Sequence, residues 1–351
     1  MILPSTQNGA LLCLALFLLC WGSFANLQKL TGKWRYEFFF FDFSFGVAIV
    51  GIVAAFTLGS MKSADLTFQD NMLIASYHKM AFALEGGFIL NLSALLLVAA
   101  ISVAPISIVF PTAMGAGVVV EAVWLLFPPQ GNTLLLGGGA FVVVVAIVVG
   151  AFAYSAYAQE QAVVKKALSP DPRSLAMAAN KPPLPATGVA LSVISGIAMG
   201  LVPALSDVAR VGEDGLGAYS AGLIFALAAL GSTFLFAPFF ITFPVHGAPV
   251  QVRTYFKGGK PHLYGLLAGA LWCVGLIAKF ASGSALSTVQ AGPVAVREFA
   301  AGAAVLAALT GLFGWREFRG SSPRIRLLLL VMMVMWIIGA AMATLAPNFA
   351  K

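Results

Sequence analysis

The sequence predicts an all-α integral membrane protein of ten transmembrane helices in two inverted five-helix repeats. Three observations predict it: the composition, ten apolar runs of spanning length, and a basic, proline-rich break that divides those runs five and five. Hydrophobic residues make up 60% of the 351-residue chain and charged residues 9%, against about 25% charged in ordinary globular proteins. Twenty basic and 13 acidic side chains are too few to cover a soluble body of this length. The mean hydropathy of +0.95 makes lipid the expected solvent. Cys13, Cys20 and Cys273 lie in apolar runs without CxxC spacing and read as small hydrophobes, so neither a metal site nor a redox pair is expected.

A spanning helix needs about 20 mostly apolar residues. Runs of that kind lie at approximately 9–28, 40–60, 80–102, 104–127, 133–157, 187–209, 217–243, 262–283, 287–312 and 325–347. The run from Gly137 to Tyr154 shows no two-residue alternation, which excludes a β-barrel and leaves helices, whose backbone hydrogen bonds are satisfied within each segment. The first run has no basic residue before it and Lys29, Lys33 and Arg35 after it, so it reads as a span and not as a cleaved signal. Loops after spans 1, 5, 7 and 9 collect fourteen of the twenty Lys and Arg residues, from Lys29 to Arg326. Cytoplasmic loops hold such an excess, so both termini are expected outside, in a cell (inner or plasma) membrane. The same asymmetry explains the net charge of +7 without nucleic acid.

Residues 158–186 carry Lys165, Lys166, Pro170, Pro172, Pro182, Pro183 and Pro185 and read as a cytoplasmic linker between a first repeat, 1–157, and a second, 187–351. Five spans per half is an odd number, so the halves insert with opposite topology. Internal similarity agrees: Cys20 to Ser23 resembles Ala198 to Leu201, and Gly87 to Pro111 aligns with Gly269 to Pro293 without a gap. Inverted repeats of this kind mark transporters with a substrate site near the midplane.

Several segments carry a family resemblance. GALLCLALFLLCWGSF with its basic KLTGKWR loop, Asp42 in FDFS, Thr57-Leu58-Gly59, Phe82-Ala83-Leu84 with Gly86-Gly87, and WREFRGSS from Trp315 to Ser322 resemble the drug/metabolite transporter superfamily, most closely the ureide permeases. Gly269 to Trp272 is similar to the superfamily's sugar-uptake (glucose/rhamnose) branch. The resemblance implies ten helices in two inverted repeats and secondary active transport, often proton-coupled uptake of allantoin, uracil or related polar heterocycles. Glu85 and Glu121 stand outside it.

Ionisable residues within a bilayer cost at least about 2.5–3.5 kcal/mol each on insertion scales. Five fall inside spans: Glu85, Glu121, Lys279, Arg297 and Glu298. With the termini outside, a rise of about 1.5 Å per residue puts all five on one level, just outward of the helix midpoints. Three acids against two bases leave one carboxyl over, as a proton symporter requires. Glu85, beside Gly86 and Gly87, is the first choice for proton coupling, then Glu121, with Glu298 in the same layer; paired charges that merely lock helices are the competing reading. Lys279 shares a helix face with Gly275 and Trp272, and Arg297 follows Pro293 by one turn. Trp21, Asn26, Asn91, Trp272, Lys279, Gln290 and Arg297 are the candidate substrate-binding residues, with helix-to-helix hydrogen bonds or ordinary packing as the alternative for the amides and indoles.

The GxxxG pairs Gly196/Gly200 and Gly265/Gly269 predict close helix packing. Asp42 is expected to cap the second span. Asp207, Glu213 and Asp214 are expected in solvent around the end of span 6, with Asp207 a candidate for an outer gate. His78, His246 and His262 fall in loops, which precludes an intramembrane zinc site. Without HExxH, GxSxG, P-loop or filter-like segments, the sequence predicts a carrier and neither an enzyme nor a channel. The expected partners are a small-molecule substrate, H+ and the lipid bilayer, as monomer or homodimer with no cofactor. The expected site is built from spans 1, 3, 4, 6, 8 and 9.

Overall fold

The computed structural model describes residues 1–32, 34–61, 66–127, 131–168, 185–286 and 292–349, and the side chains among them other than those of 165–168, 284–286 and 292–299. The chain is an all-α integral membrane protein. Among the described residues there is no strand, and nine helices are long and apolar enough to cross a membrane.

The elements are α1 (Gln7–Leu30), α2 (Tyr36–Phe56), the short α3 (Phe68–Ile74), α4 (Tyr77–Val103), α5 (Ile106–Leu126), α6 (Thr133–Leu168), α7 (Pro185–Arg210), α8 (Ala218–Thr242), a 3-10 turn (Val252–Lys257), α9 (Lys260–Leu286), α10 (Gly292–Leu309) running into a π turn (Thr310–Gly314), and α11 (Pro323–Leu345). Local chemistry sets their starts. Thr6 accepts a hydrogen bond from Gly9 N at the head of α1, Thr67 and Asp70 form a reciprocal capping box on α3, and Ser76 accepts from Lys79 N at the head of α4. Pro323 opens α11 at a position whose N–H has no partner inside the helix.

Two expectations are corrected. Residues 158–168, assigned to the linker, continue α6, because Gln159, Glu160 and Gln161 are competent helix formers and no Gly or Pro interrupts them. Residues 169–184 lie outside the described residues. Asp42 does not cap α2: the helix begins at Tyr36, Arg35 holds the cap position, and Asp42 lies six residues inside, 3% exposed.

The strongest helix pairings recur when α1, α2, α4, α5 and α6 are exchanged for α7 to α11. The α4–α7 contact recurs as α9–α1, α2–α9 as α8–α4, α5–α7 as α10–α1, and α5–α6 as α10–α11; α6–α11, α2–α8 and α5–α10 map onto themselves. Most of the strong contacts therefore join one half to the other. Small residues let these seams close: a Cβ on Gly269 of α9 would sit 1.8 Å from Phe43 O of α2, and one on Gly196 of α7 would sit 2.0 Å from Ala113 O of α5. Both positions belong to the GxxxG pairs of the sequence, and backbone approach is what that spacing permits. Ser93 of α4 and Ser195 of α7 add a reciprocal bond, each hydroxyl donating to the other's carbonyl at 2.8 Å.

Candidate functional site

Between the halves lies a cavity of about 690 Å3. Trp21, Leu90, Met114, Met199, Leu276 and Ala300, close to the middle of α1, α4, α5, α7, α9 and α10, line it, and Ala343 and Thr344 of α11 line it as well. The first six of these helices are spans that sequence reasoning assigned to the site; α11 is not. The cavity extends to the end of the bundle that holds Met1, where Leu3, Asn71, Val211 and Gly215 line it.

The floor is aromatic. Trp21 and Trp272 stack with centroids 5.4 Å apart and planes at 12°, and Trp21 Nε1 donates to Trp272 O at 3.1 Å. Below them Phe43 lies 5.7 Å from Trp272 and 5.9 Å from Phe24, which is 6.0 Å from Phe110. Four helices thus contribute buried rings to one plug, in the tilted and edge-on geometries aromatic quadrupoles favour. Trp21 faces the cavity, and Trp272 backs it.

Charge on the walls comes from both halves. Glu121 of α5 and Lys279 of α9 line the cavity, with Lys279 Nζ 5.8 Å from the centre of the Phe17 ring. Asp207 and Arg210 of α7 line it nearer the mouth. Arg210 Nη2 donates to Phe280 O at 2.6 Å, its guanidinium lies 4.7 Å over the Phe280 ring, and its Nε is buried without a hydrogen-bond partner among the described residues. Sequence reasoning placed Arg210 in a loop. Its position at the last turn of a span next to Asp207 was the available signal.

The other candidates fall elsewhere. Glu85 is exposed on the outward face of α4 beside Leu84 and Phe88, and is not on the cavity wall. The adjacent Gly87 serves helix packing, since a Cβ there would lie 2.8 Å from Phe225 Cα of α8. Asn91 is fully buried and donates to Ser232 Oγ at 2.9 Å and Thr233 Oγ1 at 3.0 Å, tying α4 to α8. Asn26 accepts from Trp315 Nε1 at 2.7 Å, on the far side of the aromatic plug. Gln290 and the side chains of Arg297 and Glu298 lie outside the described residues.

Comparison with known proteins adds the fold alone. No protein-family model matches the chain, and a search of curated proteins gives no significant match. A solved structure titled only "Crystal structure of protein" is similar over 98% of this chain and 99% of its own, with a TM-score of 0.51 and 17% identity.

The end of the bundle opposite the cavity mouth is closed by a second layer, and this one is polar. Glu317, in the turn between the π segment and α11, pairs with Lys29 at the end of α1. Its carboxylate also accepts from Ile106 N at 2.8 Å, Ser107 N at 3.0 Å and Ser107 Oγ at 2.6 Å, capping the first turn of α5. One carboxylate therefore joins α1, α5 and the α10–α11 turn. Gln28 Nε2 donates to Val98 O at 2.8 Å and ties α1 to α4 beside it. Sequence reasoning counted Lys29 as a topological charge and read Glu317 only within the family-like WREFRGSS segment. Nothing in the spacing from 29 to 317 announces the pair.

Proposed function

We propose that the protein is a secondary transporter of the drug/metabolite kind that carries a small polar solute across the membrane by alternating access. One observation carries the reading: a cavity between two exchange-related halves reaches the helix midpoints, is charged on both walls, opens at one end, and is shut below by an aromatic plug and an ion-paired lock. Such a carrier exposes its site to one side at a time as the halves rock. Glu121 and Lys279 are the residues in the right place to meet a solute. In this reading Trp21 supplies the flat floor on which a planar ring stacks.

The resemblance to ureide permeases supports the finer proposal: proton-coupled uptake of a nucleobase- or ureide-like heterocycle. The test is uptake of labelled allantoin, uracil and glucose into proteoliposomes, with and without an imposed proton gradient. Gradient-stimulated heterocycle uptake is the expected result. Glucose uptake alone moves the protein to the sugar branch, and no uptake of any of the three overturns the uptake reading in favour of an exporter.

A further inference from the structure

At the closed end a polar cluster joins the halves across α2 and α9. Asp42 lies about 9 Å inside α2 at the usual helical rise, and its carboxylate is 2.8 Å from His262 Nδ1 through Oδ2 and 3.0 Å through Oδ1. Tyr255 in the 3-10 turn donates its hydroxyl to Asp42 Oδ1 at 2.6 Å. His262 Nε2 lies 3.0 Å from Tyr255 O. The cluster is fitted closely: a Cβ on Gly265 would sit 2.4 Å from Asp42 Cβ, and one on Gly258 would sit 2.4 Å from His262 Nε2.

The hydrogen-bond geometry sets a proton requirement. Tyr255 O is a carbonyl and only accepts, so a hydrogen bond at that 3.0 Å contact requires a hydrogen on Nε2. The Tyr255 hydroxyl hydrogen is spent on Oδ1. The short contact between Nδ1 and the carboxylate then needs a hydrogen of its own, held on either atom. Satisfying all of these contacts at once therefore takes one proton more than an ionised aspartate and a neutral histidine supply. Other charges nearby do not compete: Arg35 and Glu37 pair with each other at 2.6 Å, Arg253, Lys257 and Lys260 are exposed, and α8 presents the Phe234 ring to Phe41 of α2.

We propose that Asp42 and His262 are a proton-binding dyad that clamps α2 to α9 while loaded and releases that clamp when the proton leaves. Departure of the proton to water, past the 24%-exposed side chain of His262, leaves one ring nitrogen bare, its lone pair facing either the carboxylate or Tyr255 O. That repulsion loosens this end. The proton count stands on geometry, and the consequence for opening rests on the carrier reading above.

The chain has three histidines, so imidazole 15N spectra of the nanodisc-embedded protein are assignable, with His262→Gln identifying the third signal. Where the spectra of the other two histidines show neutral rings, His262 should still carry hydrogen on both ring nitrogens, or a protonated carboxyl band should be present and vanish in Asp42→Asn. A bare ring nitrogen on His262 with no protonated carboxyl overturns the dyad. Hydrogen exchange of residues 246–257, corrected for its chemical pH dependence, should rise about tenfold as the spectral proton is lost, and stay flat in Asp42→Asn. An equal rise in that variant overturns the clamp. Tyr255→Phe keeps the packing and removes a hydrogen bond to the carboxylate, so its transition should move about one unit higher in pH; an unmoved transition also counts against the dyad. If the dyad titrates as stated while proteoliposomes show no solute uptake, the carrier reading fails and the proton site stands.

Discussion

Arg316 has φ +52°, the only positive value among the described non-glycine residues. A left-handed backbone costs an L-residue about 1–2 kcal/mol, and here it turns the chain so that Glu317 reaches Lys29 and the head of α5. Arg316→Gly should therefore raise stability by up to about 1 kcal/mol with the lock intact, measured as the thermal midpoint in detergent. Glu317→Ala removes the partner of Lys29 and of two helix N–H groups together, a loss of roughly 3–5 kcal/mol by the precedent of broken buried pairs. Burial and the Asp42 carboxylate hold the Tyr255 hydroxyl protonated well above its ordinary range. A group whose pKa is raised on folding contributes stability that is complete below its unfolded value, near 10, and fades as pH climbs toward the folded value. Alkaline unfolding should accordingly begin nearer pH 10 in the wild type, with a weaker pH slope in Tyr255→Phe.

At the scale of helices, seams between halves tolerate almost nothing and lipid-facing turns tolerate much. Gly269→Ala, with its Cβ 1.8 Å from Phe43 O, should destabilise by about 1–3 kcal/mol or more, as overpacking does. Gly137→Ala meets nothing within 4 Å and should stabilise α6 by roughly 0.5–1 kcal/mol. A difference of the opposite sign between these two melting points would contradict the seam. Helices were the most legible layer of the sequence because apolar length and basic loops are local signals. The helical continuation of α6 past residue 157 was hidden because beyond the hydrocarbon a polar helix and a polar loop have similar composition. Asp42 was misread for a related reason: four consecutive phenylalanines before it, Phe38 to Phe41, conceal where the helix begins.

The whole molecule makes its strongest claim through the cavity. Glu121→Gln and Lys279→Ala should abolish uptake while circular dichroism stays unchanged, whereas Glu85→Gln, altering an outward-facing side chain, should transport normally. Loss of uptake in Glu85→Gln alone would move the coupling site off the cavity wall. Charges at one depth pointed to spans 3, 4, 8 and 9, all of which line the cavity, yet depth does not specify azimuth. Glu85 and Glu121 lie at similar levels, and only packing against α8 turns one of them outward. Long-range partners such as Lys29 with Glu317, or Asp42 with His262, leave no periodicity to read.

The ring plug beneath the cavity also has an electrical consequence. Moving a bare ion through a layer of low polarity carries a desolvation penalty of many kcal/mol, and the rings of Trp21, Trp272, Phe43, Phe24 and Phe110 set apolar surface from four helices across that path. In the proposed carrier, such insulation confines spending of the membrane potential to loaded cycles. Replacing Trp21 with alanine should open a slip current in the absence of solute, visible as faster collapse of an imposed proton gradient in sealed vesicles.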